Sequence, residues 1–116
     1  MTSRMQNIAV TPLEGKMREK RRGPRMNSQV PVEIEWQDGL NRECQAQART
    51  RVVNFYGCLL VAAKPMAIEQ KLVLTNLATR RSIAGMVVYR GKKGLEGWEM
   101  GVELVNPEMD FWGVDL

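Results

Sequence analysis

Four cations, Lys20, Arg21, Arg22 and Arg25, fall within six positions of the stretch EKRRGPRMNSQVPVEIEW, just before an alternating apolar pattern begins. Like charges crowded this closely repel one another, so their placement at the threshold of a strand points to an anion seated among them. The rest of the charge agrees. Residues 1–30 carry seven Lys or Arg against two acids, whereas the remaining chain holds ten against eleven. The basicity therefore belongs to the leader, and the body is nearly neutral. A positive arm on a neutral body suits an anionic partner held at one place rather than a surface that coats a nucleic acid.

Other chemistry is sparse. The chain has no histidine, which removes the commonest general base, the usual triads and most catalytic zinc sites. Glu33 with Glu35, and Glu99 with Glu103, recur at even spacing on segments whose alternate residues are apolar. Solvated strand faces look like this, so no catalytic carboxylate pair is expected and the chain reads as non-enzymatic. Cys44 and Cys58 match no metal-ligand spacing and read as buried thiols. Neither metal nor cofactor is expected. Apolar runs such as GCLLVAA fall well short of the roughly 20 residues that cross a bilayer, and the N-terminus lacks a signal-peptide core. The expectation is a cytoplasmic protein without membrane insertion.

The elements that must position the arginines follow from periodicity. A chain of 116 residues, 44% of them hydrophobic, has material for one core of ordinary size. Residues 1–18 read as a flexible arm and 19–116 as one domain. In QVPVEIEW, Val30, Val32, Ile34 and Trp36 share one face, and the next strand, about 43–54, turns Cys44, Ala46, Ala48, Thr50 and Val52 inward. CLLVAA, QKLVLTN, RSIAGMVVYRGKK and GWEMGVELV complete six strands, with Gly85 suggesting a bulge or a sharp bend. Six strands at short spacing predict an antiparallel barrel or sandwich. NPEMDFW predicts a short C-terminal helix, with Asn106 as N-cap and Pro107 at its first position. Phe111 and Trp112 would then plug one end.

Taken together, these segments resemble the PilZ domain. RRGPR at 21–25 matches the family's RxxxR signature, in its usual place before the first strand, and the similarity runs through six strands to MGVELVNPEMDFW. The resemblance implies a six-stranded antiparallel PilZ-like β-barrel that acts as a receptor for the bacterial second messenger cyclic di-GMP. Arg21 and Arg25 are the matching pair, with Arg22 as an auxiliary. A guanidinium can fork onto phosphate oxygens or guanine O6 and N7, or lie flat on a purine, which a lysine cannot. The family's second signature, D/NxSxxG, falls on VVNFYG at 52–57. Val52 stands in place of the acid or amide, Asn54 in place of the serine, and Gly57 matches. Asn54 and Gly57 are thus the implied ligand contacts on the barrel, although Asn and Gly also make ordinary tight turns. A rival reading keeps the fold and makes it a degenerate PilZ domain, an adaptor whose basic arm meets a protein partner. A nucleic acid polymer fits poorly, since the aromatic residues fall on inward faces and the body is not basic.

Overall fold

The computed structural model describes residues 26–113, which form strands and turns and no helix. The strands are β1 (Met26–Asn27), β2 (Pro31–Gln37), β3 (Glu43–Asn54), β4 (Gly57–Ala62), β5 (Lys71–Asn76), β6 (Arg81–Lys93) and β7 (Trp98–Leu104). Their order is β1-β3-β2-β5-β6-β7-β4, every pairing is antiparallel, and β4 pairs back onto β3 from Ala48↔Ala62 to Asn54↔Gly57. That last pairing closes β2 to β7 into a six-stranded barrel. β1 lies outside the ring and prolongs the edge that β2 occupies on β3, with Met26 opposite Val53 and Asn27 opposite Val52.

Alternation builds the interior as the sequence predicts. Val32 and Ile34 of β2, Leu60 of β4, Leu74 of β5, Val87 of β6 and Met100 of β7 are all completely buried. Each such side chain contributes about 1.5–3 kcal/mol relative to remaining exposed. Trp36 and Trp98 pack against this core from its margin. No helix among the described residues is long and apolar enough to cross a membrane.

Three expectations are corrected. On β3 the buried valine is Val53, not Val52, because the register with β4 slips between Thr50 and Val52. Arg51 is the extra residue of a bulge, and an extra residue moves every later side chain to the opposite face. Gly85 marks no bulge: it pairs regularly with Leu72 and Leu104, and the irregularities of β6 lie at Val87/Tyr89 and Arg90/Lys93. Its bareness serves packing, since a Cβ there would meet Val102 Cγ1 at 2.9 Å and Glu103 O at 3.2 Å.

The third correction concerns NPEMDFW, which forms turns closed by Phe111 N–H to Glu108 O and Gly113 N–H to Asp110 O, each 3.2 Å. A helix this short cannot offset its own nucleation cost, and tertiary partners claim its ends instead. Asn76 Nδ2 donates to Phe111 O and Trp112 Nε1 donates to Asn54 O, both at 2.8 Å. The plug itself is present, with Phe111 and Trp112 buried edge-to-face at a centroid separation of 4.8 Å. Cys44 and Cys58 are free thiols in half-buried residues, and Cys58 packs against the core.

Candidate functional site

Two strand ends meet where the chain enters the barrel, and the bulge at Arg51 determines how. β3 and β2 pair regularly up to Pro31↔Arg49, after which the first strand's edge is interrupted by Ser28, Gln29 and Val30. Thr50 spans that interruption. Its hydroxyl accepts from Val30 N–H at 2.7 Å and donates to Ser28 O, while its own N–H donates to Val30 O at 3.1 Å. Ser28 N–H reaches Arg51 O at 3.2 Å. These bonds hold Met26 against Val53, one residue from Asn54.

Asn54 begins the turn that joins β3 to β4, and Gly57 ends it. The Asn54 Oδ1 accepts from Tyr56 N–H at 2.8 Å and Gly57 N–H at 2.9 Å, the side-chain-capped turn for which asparagine is suited. Among the described residues its Nδ2 makes no hydrogen bond, so one polar group still projects from this turn. Gly57 is fixed by contact: a Cβ would stand 2.1 Å from Val102 O on β7. Tyr56 O accepts from Leu104 N–H at 2.8 Å, and Phe55 and Tyr56 stack edge-to-face across 5.0 Å.

Beside this turn the outer wall is apolar. Val52 pairs with Leu59, Leu59 with Gly101, and Gly101 with Tyr89, whose Cβ lies 3.2 Å from where a Gly101 Cβ would be. The strip is flanked by Arg51, which sits within 3.5 Å of Glu96 and 3.9 Å of Glu99. On the far side of the turn a cleft of about 490 Å³ is lined by Tyr56, Lys71, Met86, Glu103, Val105 and Pro107, among others. Burial pushes the neighbouring Cys58 thiol up, so it stays protonated near neutrality and is no nucleophile.

Of the residues singled out from the sequence, Asn54 and Gly57 come together as the two ends of one turn. Arg21, Arg22 and Arg25 lie outside the described residues. Val52 occupies the outer wall, where it offers no polar atom to a base edge. Sequence reasoning missed Thr50 and Trp112 as the residues that tie this corner together. The signal for Thr50 was a hydroxyl in an otherwise apolar inward row, which a buried position must satisfy. Among the described residues no group of three or more Cys, Asp or Glu side chains is placed to hold a metal ion.

The fold and this corner define a closed six-stranded antiparallel β-barrel with a seventh strand outside it. Compared with known proteins, the chain matches no model of a protein family and no curated sequence.

Proposed function

We propose that this barrel is a non-enzymatic PilZ-like receptor module for cyclic di-GMP, bound between the RRGPR segment and the barrel corner at Asn54 and Gly57. The observation that carries the reading is the register Met26↔Val53, which brings the chain into the barrel beside the Asn54–Gly57 turn. Arg25 directly precedes Met26 in the sequence and Arg21 stands five residues before it. Five residues span at most about 18 Å, so chain connectivity tethers the whole RxxxR pair to this corner. The strip of Val52, Leu59 and Gly101 gives a purine an apolar wall, and Asn54 Nδ2 gives it a donor. Guanidinium groups then meet the phosphates from the open side. Binding orders the leader and shifts the population of its conformations, and that shift is the signal.

Calorimetry with the full chain and cyclic di-GMP tests the reading. Charged hydrogen bonds contribute about 1.5–3 kcal/mol each, so Arg21→Ala/Arg25→Ala lowers affinity by about a hundredfold or more. Tight binding that survives the double substitution removes these arginines from the mechanism.

One observation favours the second reading, a degenerate module that serves as an adaptor for a protein partner. Asn54 Oδ1 is already engaged by Tyr56 and Gly57, and Val52 is apolar, so the corner presents fewer polar groups than the full signature supplies. Val52→Asp/Asn54→Ser separates the two. A flat titration of the wild type that becomes a binding isotherm in this variant assigns the chain to the adaptor class.

A further inference from the structure

The outer wall beside the Asn54–Gly57 turn ends in an aromatic ring with one open face. Residues paired across five neighbouring strands fall in a single row, Asn27–Val52–Leu59–Gly101–Tyr89, and cross-strand partners share a face. Neighbouring strands stand about 4.8 Å apart, so the row runs roughly 19 Å from the segment that enters the barrel to Tyr89.

Two glycines give the ring its place. A Cβ at Gly101 would meet Tyr89 Cβ at 3.2 Å and its Cδ2 and Cγ at 3.8 and 3.9 Å, and a Cβ at Gly91 would meet Tyr89 Oη at 2.9 Å and Cε2 at 3.5 Å. The ring therefore lies along the wall from Gly101 to Gly91, against bare backbone. Tyr89 is still 40% exposed, so its outer face is open.

Glu99 stands at the hydroxyl end of that ring. Its Oε1 is 3.4 Å from the Gly91 Cβ position that Tyr89 Oη also approaches, while its Oε2 faces Arg51 Nε at 3.9 Å. Arg51 is the extra residue of the β3 bulge, and bulges re-aim side chains in this way. Arg49 shares the next row with Val61 and Glu99. With Arg49 and Arg51 against Glu96 and Glu99, and Lys92 next to Gly91 in the chain, this part of the wall is not acidic overall and does not repel a dianionic ligand.

We infer that Tyr89 and Glu99 form a guanine-selective subsite, with the base stacked on the open face of Tyr89 and its N1–H and N2–H donating to the Glu99 carboxylate. The inference rests on the reading of the barrel as a cyclic di-GMP receptor, and it adds residues remote from RRGPR and from the Asn54–Gly57 turn. An aromatic that covers strand glycines is a stabilising device in its own right. That accounts for the ring's position but not for a carboxylate held at its rim. Stacking accepts any base, so Glu99 makes the choice: an ionised carboxylate only accepts hydrogen bonds, and adenine presents a lone pair at N1 where guanine presents a proton. The phosphates then lie toward the leader, at the Asn27 end of the row.

The test is calorimetry of the full chain with cyclic di-GMP and with cyclic di-AMP. The wild type prefers cyclic di-GMP by at least about a hundredfold. Tyr89→Leu keeps the glycines covered but has no aromatic face, and it loses about tenfold or more for cyclic di-GMP; Tyr89→Phe recovers that loss. Glu99→Gln lowers cyclic di-GMP affinity by about tenfold or more and narrows the preference over cyclic di-AMP by a similar factor. Far-ultraviolet circular dichroism of each variant overlays the wild type, and if Tyr89→Leu unfolds, Glu99→Gln decides alone. A Glu99→Gln variant with unchanged preference, or a folded Tyr89→Leu variant that binds as tightly as wild type, overturns the subsite. If Arg21→Ala/Arg25→Ala weakens binding in that case, the receptor reading stands without it. A wild type that does not bind cyclic di-GMP overturns both.

Discussion

Replacing Thr50 by valine keeps the shape of a buried side chain and removes one oxygen. That oxygen accepts from Val30 N–H at 2.7 Å and donates to Ser28 O, and the Val30 side of this contact is buried. An orphaned buried N–H costs about 1–3 kcal/mol, and the Ser28 carbonyl, which solvent partly reaches, costs less. The added methyl returns about 1 kcal/mol through apolar burial. The net loss is about 2 kcal/mol, which lowers the melting temperature of a domain this size by about 8–16 °C. Thermal and urea unfolding followed by tryptophan fluorescence measure it, and amide exchange locates it. The Val30 amide exchanges faster in Thr50→Val, while Ile34 and Leu74 in the barrel interior change only as global stability does. Thr50→Ser, which retains the hydroxyl, keeps Val30 protected. A valine variant that melts at or above the wild type, with Val30 as protected as before, refutes the claim that this hydroxyl fastens the entry of the chain to β3.

Two further outcomes follow from local geometry. Gly57→Ala drives a methyl to within 2.1 Å of the Val102 carbonyl, where backbone on both sides must separate, whereas Gly39→Ala meets nothing within 4 Å. The first costs about 3 kcal/mol in urea unfolding and the second stays near neutral; similar midpoints for both contradict the packing account. Asp38 accepts from the Arg42 and Leu40 amides, and these bonds, followed by the Arg42 side chain, hold its carboxyl below the ordinary value of 3.8. A depressed carboxyl stabilises the folded β2–β3 turn above that ordinary value, and the contribution fades as pH falls through the folded one. Carbon-detected titration therefore gives Asp38 a midpoint below 3.8; a midpoint at or above it shows that the turn does not hold in solution.

Strand placement was legible wherever one face is apolar and the other polar. β2 alternates in sequence and in burial alike, Val32 and Ile34 against Glu33 and Glu35, whereas β5 alternates in burial alone, since the outward Val73 between Leu72 and Leu74 is apolar too. The bulge in β3 left no such trace, because Val52 and Val53 are both apolar and the slip depends on how β4 faces them. Asn106 and Pro107 suit a helix start by residue type, yet no helix forms there, because Asn76 and Asn54 hold Phe111 and Trp112 through bonds that only the closed barrel creates. In the candidate site the turn at Asn54 and Gly57 was readable from residue type. What sets Gly57 was not: the Val102 carbonyl lies on a strand 45 residues later in the chain.

Pairing β4 back onto β3 has a consequence for how the molecule behaves at high concentration. An open six-stranded sheet would display two long rims of unsatisfied amides and carbonyls, each able to recruit another chain into a growing fibril. Ring closure pairs both rims from Ala48↔Ala62 to Asn54↔Gly57. Among the described residues, the stretches left with one unpaired side are Met26–Asn27, the start of β3 before Ala48 and the end of β6 after Val87, and the charges of Glu43, Arg90, Lys92 and Lys93 on them oppose recruitment of a further strand.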